Sequence, residues 1–321
     1  MKRIFISFFC LLPTTLLLAQ QDAQFSQYMF NQLFLNPATA GVNTSEIEFA
    51  AIHRSQWLGY DGSFDDGGAP TTQVASVNMP FSKYNLGAGL HFVNDQLGPI
   101  NNQEVQLSLA YHLQIKRTII SFGLRGGLYN HSIDGSKLRP VQENDPLIQN
   151  LLSREGQFRS DFAAGIYVSP LSKKYFAGLS INHFNRSDFN YGTDISYNAL
   201  EEHVTLLGGV NLDLSQGVVL TPSFIVKSDI NSFSVEGSMI ATFNDKFYGG
   251  VSMREVEAAI LLLGVNLMKD QRLKVGYAFD YTLEARNAKE TTSHEIMLRY
   301  SLPAFRFFEP TIIRTPRFRH E

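Results

Sequence analysis

The sequence predicts an all-β protein, a transmembrane antiparallel up-and-down β-barrel of about 14 strands with short periplasmic turns and longer extracellular loops. Three observations carry this prediction. Apolar and polar residues alternate with period two in one short stretch after another, the signature of strands with one greasy and one wet face. The loops between those stretches alternate between a short and a long class. No amphipathic helix of comparable length lies between them. An open sheet this wide would leave unpaired edges and an uncovered apolar face, and closing it into a barrel with lipid outside removes both.

Along the chain, residues 1–20 read as a signal peptide. Lys2 and Arg3 give a positive start, Ile4 to Leu18 an apolar run, and Ala19 a cleavage position. The run is shorter than the roughly 20 residues a helical span needs. Cys10 lies inside it, so the exported chain has no cysteine and no disulfide framework. Residues 21–42 carry Phe25, Tyr28, Met29, Phe30, Leu33, Phe34 and Leu35, too apolar for a loose tail, and are expected to pack inside or under the barrel.

The barrel is expected over 43–302. Its strands are placed at 45–54, 72–80, 84–94, 103–114, 118–130, 159–169, 175–185, 201–212, 218–227, 232–243, 247–254, 257–267, 272–283 and 293–302. Each approaches the roughly 9–11 residues that a tilted strand needs to cross a bilayer. In the fourth, Val105, Leu107, Leu109 and Tyr111 make an apolar row against Gln106, Ser108, Ala110 and His112. Short connections fall at Phe81–Lys83, Ile115–Arg117, Pro170–Lys174, Leu214–Gln216, Asn244–Lys246 and Lys269–Gln271. The other class includes 55–71, 95–102, 132–158, 186–200 and 284–292, with two short members near 228–231 and 254–256. Short turns face the periplasm in outer-membrane barrels, so this parity puts both termini there.

The inward row includes His91, His112, Arg125, Lys274, Asp280, Glu295 and Arg299, together with the small residues Gly87, Gly89, Ala110, Gly123, Gly127, Gly165, Gly276 and Ala278. Small inward residues leave room for a plug, a loop or water. Phe81, Tyr84, Phe92, Phe176, Phe247, Tyr248 and Tyr281 sit where an interfacial aromatic girdle is expected. Residues 303–321 follow the last strand. This tail carries Arg306, Arg314, Arg317 and Arg319 with three prolines, and reads either as an extended periplasmic docking strip or as a disordered end.

The charge balance of −3 gives no electrostatic case for nucleic acid. Past the signal, the longest apolar run is Ala258 to Leu263, too short for a helical span. There is no Gly-x-Ser-x-Gly elbow, no His-Glu-x-x-His and no cysteine–histidine metal spacing, so neither a catalytic set nor a cofactor is expected. His53, His91 and His112 read as polar lining. Asp65-Asp66-Gly67-Gly68 has too few carboxylates for an EF-hand loop, and Gly123–Gly127 precedes no helix that could bind phosphate.

Function comes from a resemblance at the two ends. Asp22-Ala23-Gln24-Phe25-Ser26-Gln27-Tyr28-Met29-Phe30-Asn31, followed by Leu35-Asn36-Pro37-Ala38-Thr39-Ala40-Gly41, resembles the opening motif of the PorP/SprF family. His53-Arg54-Ser55-Gln56-Trp57-Leu58-Gly59 resembles that family's Arg-x-Gln-Trp element, Gly68 to Thr72 its Pro-Thr stretch, and Arg314-Thr315-Pro316-Arg317-Phe318 its ending. The family comprises outer-membrane proteins of the type IX secretion and gliding machinery of Bacteroidota. The resemblance implies a non-enzymatic accessory barrel that supports export or surface anchoring of large secreted adhesins. Its implied partners are outer-membrane lipid, periplasmic secretion components including an OmpA-like peptidoglycan-binding protein, and the C-terminal sorting domain of an adhesin. The expected partner-binding residues are Asn36, Pro37, Gly41, Arg54, Gln56, Trp57, Arg314, Pro316, Arg317 and Phe318, with the loop 132–158 as a client contact. For Arg54, Gln56 and Trp57 a purely structural role, as a hydrogen-bonded cluster in the lumen or at its rim, is the competing reading. For the whole chain, the alternative is a diffusion channel or transporter on the same fold.

Overall fold

A computed structural model describes residues 22–42, 45–60, 68–138, 156–189, 198–229, 232–255, 257–268, 270–283 and 290–304. Fourteen antiparallel strands close into one barrel. They are β1 (Glu46–Ser55), β2 (Thr71–Phe81), β3 (Leu86–Leu97), β4 (Ile100–Ile115), β5 (Thr118–Ile133), β6 (Gln157–Pro170) and β7 (Tyr175–Asn182), each paired with its neighbour in sequence. β8 runs as His203–Val210 and Leu212–Ser215, interrupted at Asn211, and both pieces pair with β9 (Val218–Ser228). The wall continues through β10 (Phe233–Phe243), β11 (Phe247–Arg254), β12 (Ala258–Leu267), β13 (Leu273–Thr282) and β14 (Thr292–Pro303). Pairing of β1 with β14, from Glu46 opposite Pro303 to Ser55 opposite His294, closes the ring.

Closure satisfies the backbone groups that an edge strand would expose to hydrocarbon. Side-chain burial follows the pleat. On β4, Val105, Leu107, Leu109 and Tyr111 are about half exposed on the outer face, while Gln106, Ser108, Ala110 and His112 are buried. The same holds on β14, where Ile296 and Leu298 face out and Glu295 and Met297 are fully buried. The barrel is thus apolar outside and polar inside, as a lipid-facing wall requires. Among the described residues no helix is long and apolar enough to cross a membrane.

Three expectations change. The stretch 95–102 is a tight turn rather than a long loop: β3 and β4 pair out to Leu97 opposite Ile100, around Gly98 at φ +58°. Its polar residues resemble a loop in sequence, yet they form strands that continue past the apolar belt. There they are joined side chain to side chain, with Gln103 Nε2 donating to Asn94 Oδ1 at 3.1 Å. β4 and β5, at 16 residues each, are accordingly longer than a bilayer crossing needs. Phe176 and Tyr248 leave the expected girdle and turn inward, Phe176 stacking on Tyr167 and Tyr248 packing against Phe30. His53 leaves the polar lining: it is exposed on the outer face, because it alternates along β1 with the inward Ile52 and Arg54.

Inside the wall lies the segment 22–42, built from a 3-10 turn at Tyr28–Phe30, one helical turn at Gln32–Leu35 and a second 3-10 turn at Pro37–Thr39. Its Phe25, Tyr28, Phe34, Leu35 and Ala38 share a buried cluster with Ile52, Val74, Val93, Leu207, Ile225 and Met297 from strands around the ring. The core of this protein is therefore the lumen, and residues 22–42 are its central element.

Candidate functional site

The plug is seated by the glycines that the inward row supplies. A Cβ on Gly123 would lie 2.2 Å from the Ala38 nitrogen, and one on Gly87 would lie 2.1 Å from the Ala40 oxygen. Neither position can accept a side chain unless the plug backbone moves. Asn36 pins the same turn. Its Oδ1 accepts from the Ala38 backbone N–H at 2.9 Å, and its Nδ2 donates to the carbonyls of Ile166 at 3.0 Å and Leu179 at 3.3 Å. Arg125 donates to the Phe34 carbonyl at 2.6 Å and to Asn182 Oδ1 at 2.7 Å. Ser180 donates to the Leu35 carbonyl at 2.7 Å. One short helical segment thus has its orphan carbonyls satisfied by the barrel wall.

The half of the lumen nearer the long loops holds a charged network around Ser26. The Ser26 and Gln27 backbone N–H groups donate to the two Glu295 oxygens at 2.8 and 2.9 Å. Ser26 Oγ lies 2.7 Å from both Asp280 oxygens. Arg54 bridges the set, with Nη2 to Asp280 at 2.7 Å and Nη1 to Ser26 Oγ at 2.7 Å and to Glu295 at 3.3 Å. Arg254 adds a pair to Glu236 at 2.8 Å and approaches Asp280 at 3.8 Å. All these side chains are nearly inaccessible, so each charge depends on its partner. On the plug itself, Tyr28 Oη meets Ser223 Oγ at 2.9 Å, and burial pushes the Tyr28 phenol up to about 12.

The first described residue, Asp22, reaches the wall where β7 and β8 meet a long loop. His183 Nε2 is 2.9 Å from Asp22 Oδ1, and His183 Nδ1 is 2.9 Å from Asp161 Oδ1. Burial opposes charge on His183, but Asp22 and Asp161 outweigh it and hold the imidazole well above its ordinary pKa. His203 Nδ1 stands 3.4 Å from the same Asp22 oxygen. The plug therefore crosses the lumen from Asp22 at the long-loop end to Gly41 at the short-turn end. Ser45 and Pro303 lie at the short-turn end; Asp22, at the start of the plug, lies at the opposite end, where the loop parity did not put the N-terminal side of the chain.

The structure sorts the residues expected to bind partners. Asn36, Pro37, Gly41 and Arg54 are buried, and their polar contacts go to plug and wall. In this arrangement they hold the plug and offer no surface. Gln56 and Trp57 sit half-buried on the long-loop rim. The Gln56 N–H donates to the Pro70 carbonyl and the Trp57 N–H to Ser293 Oγ, with Trp57 in the left-handed region at φ +48°. Arg314, Pro316, Arg317 and Phe318 lie outside the described residues, as do Asp65–Gly67 and most of the loop 132–158.

Sequence reading alone passes over Asp161, His183, His203, Glu236 and Arg254, and takes Asp22 and Ser26 only as members of the opening motif. Strand parity could have placed Asp161, Glu236 and Arg254 in the lumen. Nothing local shows that Ser26 and Asp22 answer them from across 130 residues or more of chain.

The chain is similar in fold to solved outer-membrane channels. It matches a monoaromatic hydrocarbon channel, the TodX deltaS2S3 mutant, at 11% identity and TM-score 0.51, covering 84% of this chain and 93% of that one. It also matches the toluene transporter TbuX of Ralstonia pickettii at 9% identity and TM-score 0.50, covering 85% and 93%. At such identity the likeness speaks for the barrel alone. No curated protein matches the sequence. A family model matches residues 17–300, spanning the plug motif and nearly the whole wall, and the chain with its plugged outer-membrane barrel accordingly belongs to the type IX secretion system membrane protein PorP/SprF family.

Proposed function

We propose that this type IX secretion component acts without enzymatic chemistry, as an accessory barrel that supports export or surface anchoring of large secreted adhesins and couples to periplasmic machinery. The observation that carries this reading is the plug. Residues 22–42 cross the lumen from one end to the other and are packed and hydrogen-bonded against wall strands on several sides of the ring. A lumen occupied in this way suits a scaffold better than a solute path. The partners are then met at the rims: Gln56, Trp57 and the long loops on the outer side, and the basic tail with Arg314, Pro316, Arg317 and Phe318 on the periplasmic side. The periplasmic partners implied by family membership include an OmpA-like peptidoglycan-binding protein, and the exported partner is an adhesin's C-terminal sorting domain.

Planar-bilayer recording tests the scaffold against the channel. The full-length protein is expected to give no steady conductance, and a variant lacking residues 22–42 is expected to open. Large, steady conductance from the full-length barrel would instead make it a diffusion channel. In cells, deletion of the gene is expected to abolish surface display of the adhesin while leaving outer-membrane permeability unchanged.

A further inference from the structure

Asp22, His183 and His203 place a carboxylate oxygen and two imidazole nitrogens within 4.8 Å of one another at the junction of β7 and β8. Asp22 Oδ1 is 2.9 Å from His183 Nε2 and 3.4 Å from His203 Nδ1. Tetrahedral zinc with nitrogen and oxygen ligands at 2.0–2.1 Å separates neighbouring ligand atoms by about 3.3 Å. The two distances from Asp22 Oδ1 thus lie on either side of the spacing that one such ion imposes, and the two imidazole nitrogens are within 4.8 Å of each other. Hydrogen bonding accounts for His183 but not for His203. His203 is buried, its side chain only 7% exposed, and among the described residues neither ring nitrogen has a hydrogen-bond partner, Nδ1 only approaching Asp22 Oδ1 at 3.4 Å. A buried imidazole with both nitrogens unsatisfied is costly. A cavity of about 20 Å³ adjoins His203 and Asp22, enough for a single water molecule.

We propose that Asp22, His183 and His203 bind a divalent transition-metal ion of the zinc class, with water as the fourth ligand. His183 coordinates through Nε2, releasing that nitrogen's proton to solvent. Its Nδ1–H donates to Asp161 Oδ1 at 2.9 Å, an arrangement that fixes the ring tautomer and orientation. His203 coordinates through Nδ1, which replaces its 3.4 Å approach to Asp22 Oδ1 with a ligand bond. Lys227 lines the same cavity and counts against a cation there, but its ammonium is directed to the Ala23 carbonyl at 3.5 Å, and Asp229 shares the lining. The ion would staple the leading end of the plug to the wall by joining Asp22 to the start of β8 and to the residue that follows β7.

The test uses the full-length protein, purified in detergent and stripped with chelator, and titrates it with Co²⁺ and then Zn²⁺. The expected result is stoichiometric binding of Co²⁺ with the intense d–d absorption of a tetrahedral site, bleached when Zn²⁺ displaces it. His203→Gln is expected to abolish that absorption while retaining the heat-modifiable gel mobility of a folded barrel. Asp161→Asn keeps all three ligands and is expected to weaken Zn²⁺ binding by about 10- to 100-fold. Absence of the absorption in the unmodified protein overturns the proposal and leaves an Asp–His–Asp hydrogen-bonded clamp. An equal absorption in folded His203→Gln overturns it too. Should that variant not fold, the spectrum of the unmodified protein and the Asp161→Asn affinity decide.

Discussion

At the scale of single residues, the lumen is a set of buried charges that cannot be removed one at a time. Arg54 touches Asp280, Glu295 and Ser26, and all four side chains are nearly inaccessible. Replacing it with Met leaves Asp280 and Glu295 with Arg254, 3.8 Å from Asp280, as their nearest remaining cation. Removing one partner of a buried pair costs about 3–5 kcal/mol, so Arg54→Met is expected to lower the urea midpoint of the refolded barrel and to expose the plug to protease. A triple change that also turns Asp280 and Glu295 into their amides is expected to recover part of the loss. Gly123 tests packing in place of charge. Gly123→Val puts atoms where the Ala38 nitrogen stands, 2.2 Å from the ideal Cβ. It is expected to unseat Pro37–Ala40 while the wall still forms, read as new reactivity of an Ala38→Cys probe. An unchanged, protected probe would show that the seat is looser than the geometry implies.

Individual strands are ruled by their two faces. Leu109 and Ser108 are adjacent on β4, yet Leu109 faces lipid and Ser108 is fully buried in the lumen. A cation on the lipid face near mid-membrane costs about 2–4 kcal/mol. Leu109→Arg is therefore expected to destabilise the barrel in vesicles by that amount, measured by reversible urea unfolding in lipid. Cross-strand register explains why such changes stay local, since Leu109 pairs with Ala88 and Leu124 on its neighbours and each row keeps one face. The turns carry their own constraint. Asn244 and Asp245 both have positive φ, at 49° and 52°, in the tight link between β10 and β11, where Asn and Asp are tolerated better than branched residues.

For the whole molecule, the closed wall and its plug form one unit, and the proposed partner surfaces are its rims. Deleting Arg314 to Glu321 is expected to leave heat-modifiable folding intact and to reduce co-purification of periplasmic secretion partners; unchanged recovery of those partners would remove the tail from the docking role. How much of this was legible beforehand follows from the range of each interaction. All the wall strands could be read from period-two alternation, because each strand's pleat is a local property that lipid outside and water-like lining inside enforce residue by residue. Read locally, the polar ends of β3 and β4 passed for a loop, since strands beyond the membrane no longer carry an apolar face. Phe176 and Tyr248 passed for girdle residues because an aromatic near a strand end looks the same whether it turns to lipid or to the plug. The glycines announced a space but not its occupant. The sequence by itself determined a closed barrel with an apolar exterior, and its two ends tied it to a family. Only the tertiary structure decided that Asn36 and Arg54 are internal fasteners, and that Ser26 and Asp22 meet carboxylates and imidazoles far along the chain. Those contacts arise from ring closure around the plug, which brings together residues that no sequence period relates.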